Sequence, residues 1–119
     1  MKILTRKSAL YAVSIASCTS VLFAGSDTAR ASNQTGIVTK VAFAGPRFLF
    51  WMSEARGSRP SCDCCNRWGI AVSDPNSQAR MSLILTAYAQ GKAIYVDGTG
   101  ACVAGAGDTE SVGYFEVGS

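Results

Sequence analysis

The amino-acid sequence predicts a small, mainly β domain with one helix, in the order β-β-β-α-β-β. Apolar and polar residues alternate in five short segments, which is the period of a strand with one buried face. A segment between the third and fourth of these changes to a helical period. Stretches rich in Gly and Pro separate the segments and mark the turns.

The first two predicted strands form a hairpin. Residues 36–44 read GIVTKVAFA, and their alternation places three apolar side chains inward and Lys40 outward. The predicted inward residues are Ile37, Val41 and Phe43. A Gly-Pro pair breaks this run, and RFLFWMS at residues 47–53 resumes the alternation. The predicted inward residues of this second strand are Phe48, Phe50 and Met52.

The third strand and the helix follow a long polar loop. RWGIAVS at residues 67–73 predicts a strand with Trp68, Ile70 and Val72 inward. Residues 74–91 predict a helix, which Asp74 caps at its start and Gly91 ends in the left-handed conformation. Its predicted packing stripe consists of Met81, Ile84, Leu85 and Tyr88.

Two further strands complete the domain. KAIYVDG at residues 92–98 places Ile94 and Val96 inward, and SVGYFEV at residues 111–117 forms the last strand. Five strands with one helix between the third and the fourth are typical of an OB-fold-like five-stranded barrel. A ferredoxin-like fold needs a second helix, and no segment predicts one.

The N-terminus predicts export. A basic start is followed by an apolar stretch and by the small-residue pattern Ala29-Arg30-Ala31, which together are typical of a secretory signal peptide. We therefore expect a leader at residues 1–31 and a single domain at residues 32–119, located in the periplasm or outside the cell. A lipoprotein acylated at Cys18 is the alternative, because Ile15-Ala16-Ser17-Cys18 resembles a lipobox. A transmembrane anchor is less favoured, since the apolar run is short and interrupted.

Charge and composition exclude several functions. Four of the 11 basic residues and one of the 8 acidic residues precede position 32, so the predicted domain has a formal net charge of zero. This balance gives no reason to expect nucleic acid or an acidic membrane surface as partner. The chain contains 0 histidines, which excludes a Ser-His-Asp triad and a Cys-His zinc site. We expect no catalysis, no metal, no cofactor and no membrane span after processing.

The sequence SCDCCNRWGI concentrates three cysteines before the third strand. In an exported domain of this size, cysteines mostly form disulfides. We predict a disulfide between Cys65, the cysteine nearest the strand, and Cys102, worth about 3 to 4 kcal/mol. Cys62 and Cys64 then pair locally or join two subunits. A four-thiolate zinc site and a C-x-x-C redox centre are less favoured, because the spacing is unlike a zinc knuckle and no helix begins there.

Residues 67–117 contain an R-[aromatic]-x-I strand, a helix ending in A-x-x-x-G-K, and the segments G-T-G-x-C and G-D-T-E. In these features they resemble a group of small exported bacterial proteins, some of them similar to the B subunit of subtilase cytotoxin. The resemblance implies an OB-fold, export, and one disulfide between the segment before the third strand and the cysteine of G-T-G-x-C. Such B subunits form pentameric rings and bind cell-surface glycans, but SNQTGIVTKVAFAGPR has no recognisable counterpart of the toxin's sugar pocket.

The most favoured function is a non-catalytic binding module that recognises a glycan. The strand pattern places Trp51, Tyr95 and Asp97 outward, where an aromatic ring and a carboxylate suit a sugar. The alternative is an envelope or periplasmic interaction protein without a small ligand, with Trp51 packed under the loop or at a subunit interface. The predicted partners are a surface glycan or another exported protein, and homo-oligomerisation stays open. Asp108 and Glu110 are more typical of a polar turn than of a calcium loop.

Overall fold

The computed structural model describes residues 30–118 as five strands and one helix in the predicted order. The elements are β1 (Asn33–Phe43), β2 (Arg47–Met52), β3 (Trp68–Ala71), α1 (Ser77–Gln90), β4 (Ala93–Cys102) and β5 (Glu110–Val117). The strands pair as a closed barrel in the order β1-β2-β3-β5-β4, in which only β3 and β5 run parallel. The mainly β class with one helix is confirmed. Cys18 and all of the predicted leader except its last two positions lie outside the described residues.

Strand β1 serves two neighbours and changes partner at a bulge. Its first half pairs with β4 and its second half with β2, and the register shifts between Val38 and Lys40. A bulge inserts one extra residue, so positions an even number apart across it point to opposite faces. Val38 is consequently 4% exposed and Ile37 41% exposed, and the prediction that Ile37 faces inward was wrong.

The hydrophobic core of the barrel consists largely of the predicted residues. The predicted residues found in the buried core are Phe48, Phe50, Met52, Trp68, Ile70, Ile94 and Val96. Besides Ile37, two predicted core residues are exposed instead. Phe43, at 65% exposure, ends β1 at the barrel mouth with its ring edge-on to Phe48, and Val72 lies beyond the end of β3.

Helix α1 packs against β1, β3 and β5. Gly91 ends it in the left-handed conformation, with φ of 62°, and its N–H bonds back to the last turn, as predicted. The predicted cap was wrong, because the helix begins only at Ser77 and Asp74 instead accepts the N–H of Asn76 at 2.8 Å. No helix among residues 30–118 has the length and apolar character needed to span a membrane.

The packing stripe of α1 also differs from the prediction. Ile84 is buried and Met81 is partly buried against the core, but Leu85 and Tyr88 are exposed. Ala87 takes the inner position one turn after Ile84, and its small side chain allows the helix to lie close to the strands. Some large apolar side chains of α1, such as Leu85 and Tyr88, are therefore not covered by the barrel.

Candidate functional site

The loop between β2 and β3 is crosslinked to the end of β4. Cys62 forms a disulfide with Cys102, with the Cα atoms 6.3 Å apart and a sequence separation of 40. Cys64 forms the second disulfide with its neighbour Cys65. The predicted Cys65 to Cys102 pair was therefore wrong in its first member, although a disulfide does join this loop to Cys102.

Asp63 explains why Cys62 is the partner. Its N–H donates to the Pro60 carbonyl at 3.0 Å, which closes a turn, and its buried carboxylate accepts the N–H of Cys65 at 3.2 Å. Nearness along the chain to β3 does not decide the pairing, because the loop folds back through this turn. Cys64 and Cys65 are left exposed at the surface.

The exposed pair lies beside the loop between β4 and β5. The Cys64 N–H donates to the Asp108 carbonyl at 3.1 Å. Both sulfur atoms and a carboxylate oxygen of Asp108 lie within 4.8 Å of one another. Because the disulfide occupies both sulfur atoms, these three residues offer no thiolate ligands in the oxidised protein.

A buried ionic network, which the sequence did not predict, holds the same loop from inside. The Arg56 side chain is 1% exposed and forms ion pairs with Asp63 and, at 2.6 Å, with Glu110. Its guanidinium also stacks on the Trp68 ring, 3.7 Å from the centroid. Burial lowers the pKa of Arg56, while both carboxylates oppose that shift.

Glu110 collects donors from several segments and is fully buried. The N–H groups of Ser32 and Gly100 donate to its Oε1 at 3.1 and 3.0 Å, and the Ser32 hydroxyl donates to its Oε2. Gly98 leaves room for this carboxylate, because a Cβ there would collide with it. The prediction that Glu110 belongs to a polar turn was wrong, since it starts β5 and lies inside the barrel wall.

The predicted site residues Tyr95 and Asp97 lie together on the outside of the barrel. The Tyr95 hydroxyl donates to Asp97 Oδ1 at 2.8 Å. Strand β5 repeats this arrangement, since the Tyr114 hydroxyl donates to Glu116 Oε2 at 2.8 Å. The register sets Tyr95 opposite Glu116 and Asp97 opposite Tyr114, so aromatic rings and carboxylates alternate like a checkerboard.

Strand β1 extends this surface by one row. Asn33 lies opposite Asp97 and Thr35 opposite Tyr95. We call the six residues the tyrosine face: Asn33, Thr35, Tyr95, Asp97, Tyr114 and Glu116. An open cavity of about 260 Å³ adjoins it, lined by Thr35, Ala93, Ile94, Tyr95, Glu116 and Gly118.

The tyrosine face is acidic. Among residues 30–118, no basic side chain forms an ion pair with Asp97 or Glu116. The hydrogen bond to Asp97 raises the pKa of Tyr95, and the hydrogen bond to Glu116 raises the pKa of Tyr114. Both phenols are therefore neutral donors at physiological pH, and each carboxylate keeps a second oxygen free of its tyrosine.

Trp51, the third predicted site residue, lies elsewhere. It pairs with Lys40 whereas Tyr95 pairs with Thr35, five positions away on β1. That spacing corresponds to roughly 16 Å along a strand. Trp51 is half-buried between Lys40 and Arg67, so the structure brings together two of the three predicted residues.

Sequence reasoning missed Tyr114, Glu116 and Thr35 as members of the face. The alternation in SVGYFEV does place Tyr114 and Glu116 on one side, but only the register of β4 with β5 shows that they join Tyr95 and Asp97.

No protein-family model, no curated protein and no solved structure matches this chain. The function is therefore inferred from the geometry of residues 30–118.

Proposed function

We propose that this chain is an exported, non-catalytic binding module that recognises a neutral glycan through the tyrosine face. The observation that carries the proposal is the pair of tyrosine-carboxylate couples side by side on β4 and β5. Tyr114 is 54% exposed, so its ring is open to a ligand. The adjoining open cavity offers a recess for part of that ligand.

The chemistry of the face suits a polyol. A sugar ring presents C–H groups on its faces, which pack on aromatic rings, and hydroxyl groups around its edge. The free oxygens of Asp97 and Glu116 accept hydrogen bonds from those hydroxyls, and bonds to a charged acceptor are roughly twice as strong as neutral ones. The tyrosines hold the carboxylates in place through 2.8 Å hydrogen bonds, so little side-chain freedom is lost on binding.

The fold and compartment belong to the same proposal. The strand order β1-β2-β3-β5-β4 with the helix between β3 and β4 supports an OB-fold assignment. The Cys62 to Cys102 disulfide supports the resemblance to toxin B-subunit-like proteins, which implied a crosslink between the loop before the third strand and the cysteine of G-T-G-x-C. Two disulfides also support export to an oxidising compartment.

A glycan array followed by calorimetry tests the proposal. The purified, oxidised protein is screened, and the affinity for the strongest neutral oligosaccharide is then compared with that of the double variant Asp97→Asn, Glu116→Gln. We expect the variant to lose about tenfold or more in affinity, because two charge-assisted hydrogen bonds become neutral ones. The matched control is Tyr88→Ala, an exposed tyrosine on α1, which should bind normally. Silence across the array, or an equal loss in the control, contradicts the proposal.

Among residues 30–118, neither Asp97 nor Glu116 forms an ion pair, which favours a second candidate, a basic surface on another exported protein as the partner. Salt separates the two functions. Exposed charge pairs weaken as the ionic strength rises, whereas hydrogen bonds to an uncharged sugar change little. The second candidate is supported if the protein gives no signal on the glycan array but captures lysine-rich peptides at low salt and releases them at high salt.

A further inference from the structure

A second surface of the barrel, away from the tyrosine face, combines one tryptophan with two cations. Lys40 lies opposite Trp51 in the pairing of β1 with β2, and its Nζ is 4.6 Å from the centroid of the Trp51 ring. On the other side of Trp51, Arg67 directly precedes β3, and its Cζ is 5.9 Å from the same centroid. We call these three residues the cation-tryptophan strip.

Arg67 is held rigidly in the strip. Its Nε donates to Thr109 Oγ1 at 2.7 Å and its Nη2 to Asp108 Oδ2 at 2.8 Å. No hydrogen bond from its Nη1 occurs within the described part of the chain, so one donor edge is free for a ligand. A guanidinium fixed by two contacts binds a further anion with little loss of side-chain freedom.

The strip, taken together with its neighbours Arg47 and Asp108, carries excess positive charge. Arg47 Nη1 lies 4.0 Å from Asp108 Oδ1, so this carboxylate is shared by Arg47 and Arg67. Lys40 forms no ion pair within residues 30–118. Three cations and one carboxylate leave a local charge of about +2 at neutral pH, although the region from residue 32 onward is formally neutral.

We infer that the cation-tryptophan strip binds an acidic saccharide, whose carboxylate or sulfate group binds Lys40 and Arg67 and whose ring packs against the accessible part of Trp51. Trp51 is partly exposed, whereas Trp68, the other tryptophan, is fully buried in the core. One aromatic ring flanked by two cations matches one charged sugar residue. A single-stranded nucleic acid would require several stacking rings along a continuous basic groove.

Tryptophan fluorescence of the oxidised protein provides the readout, because Trp68 is fully buried and Trp51 reports the strip. The probes are a sulfated heparin tetrasaccharide, a carboxylated trigalacturonate, a neutral maltotriose and a short oligothymidylate. We expect one or both acidic sugars to shift the emission to shorter wavelength, and the two arms show which acidic group is preferred. The neutral sugar should cause no shift in this signal.

Lys40→Gln is the decisive variant, because within residues 30–118 this side chain forms no ion pair that folding could need. We expect a loss of about tenfold in affinity for the acidic sugar, which is the effect of one charge-assisted contact, and recovery in Lys40→Arg. Lys92→Gln, a change of an exposed lysine beyond α1, is the matched control and should bind normally. Arg67→Gln should also weaken binding.

Three results would overturn the inference: an equal shift with maltotriose, an equal loss in Lys40→Gln and Lys92→Gln, or tighter binding of oligothymidylate than of either acidic sugar. The inference is independent of the glycan site on the tyrosine face. Asp97→Asn, Glu116→Gln leaves the strip intact, so acidic-sugar binding should persist in that double variant. Failure of one site can therefore be distinguished from failure of the other.

Discussion

The tyrosine face and the cation-tryptophan strip lie on one barrel and share strand β1, yet their charges are opposite. The tyrosine face presents Asp97 and Glu116 beside two phenols. The strip presents Lys40 and Arg67 beside an indole. A formal net charge of zero for the predicted domain therefore conceals two surfaces that suit ligands of different charge.

The bulge in β1 separates the two surfaces. Before it, the outward residues of β1 border β4, and after it they border β2. The extra residue places both Thr39 and Lys40 on the outside, so Lys40 reaches Trp51. One inserted residue thus gives a single strand two different outer neighbourhoods.

The largest effect should come from Arg56, whose buried network joins the loop between β2 and β3 to the start of β5. Arg56→Met leaves Asp63 and Glu110 as buried carboxylates without their cation, which should lower the free energy of unfolding by about 3 to 5 kcal/mol. Urea unfolding followed by circular dichroism measures this loss. Arg59→Gln, at an exposed position in the same loop, is the control and should change stability by less than about 0.5 kcal/mol. A loss in Arg56→Met as small as that of the control would show that the network is dispensable.

The next largest effect should be the difference between the two disulfides in their contribution to the free energy of unfolding. Replacing Cys62 and Cys102 by serine removes a crosslink that spans 40 residues, which should cost about 4 kcal/mol by the chain-entropy model. Replacing Cys64 and Cys65 opens a ring between adjacent residues, so the unfolded chain gains almost no freedom. Urea unfolding of the two double variants compares them. Equal losses would mean that the Cys64 to Cys65 bond stabilises the loop through native contacts instead.

Local signals explain why much of the fold could be predicted from the sequence. The alternation in RFLFWMS and KAIYVDG identified the inward residues of β2 and β4, and Gly91 identified the end of α1. The bulge at Thr39 leaves no local signal, because VTKV is compatible with a regular strand. For that reason Ile37 was assigned to the wrong face.

Long-range pairing explains what could not be predicted of the sites. Arg56 and Glu110 are 54 positions apart, and each looks like an ordinary loop residue until the barrel closes. Tyr95 and Asp97 could be assigned to the outside from β4 alone. Their union with Tyr114 and Glu116 and their separation from Trp51 depend on strand register, which one sequence does not specify.

A smaller effect should be confined to the tyrosine face. The hydrogen bond to Asp97 raises the pKa of Tyr95, so the neutral phenol stabilises the fold fully below the ordinary tyrosine pKa, and this contribution is lost as the pH rises through the raised value. Asp97→Asn should lower the pKa of Tyr95 toward its ordinary range. Alkaline titration of tyrosinate absorbance, with Tyr95→Phe to assign the signal, measures the shift. The charged ligands of the strip should bind Asp97→Asn normally, and an unchanged Tyr95 pKa would contradict the coupling.

The smallest effect should come from Asp108, which holds Arg67 in the cation-tryptophan strip. Its side chain is 47% exposed, so solvent screens its contacts. Hydrogen bonds from Thr109 and Arg67 hold the pKa of Asp108 below its ordinary value, so the carboxylate contributes stability above the ordinary aspartate pKa and loses it as the pH falls through the lowered value. Asp108→Asn should therefore make thermal stability less dependent on pH in the acid range. Melting curves from neutral pH to about pH 3 compare the variant with the native chain.

Arg67 is anchored by the Asp108 carboxylate, so protonation of that carboxylate in acid should weaken acidic-sugar binding in the native chain more than in Asp108→Asn. If the pH profiles of melting and of acidic-sugar binding are the same for Asp108→Asn and the native chain, the strip keeps its geometry without the Asp108 carboxylate.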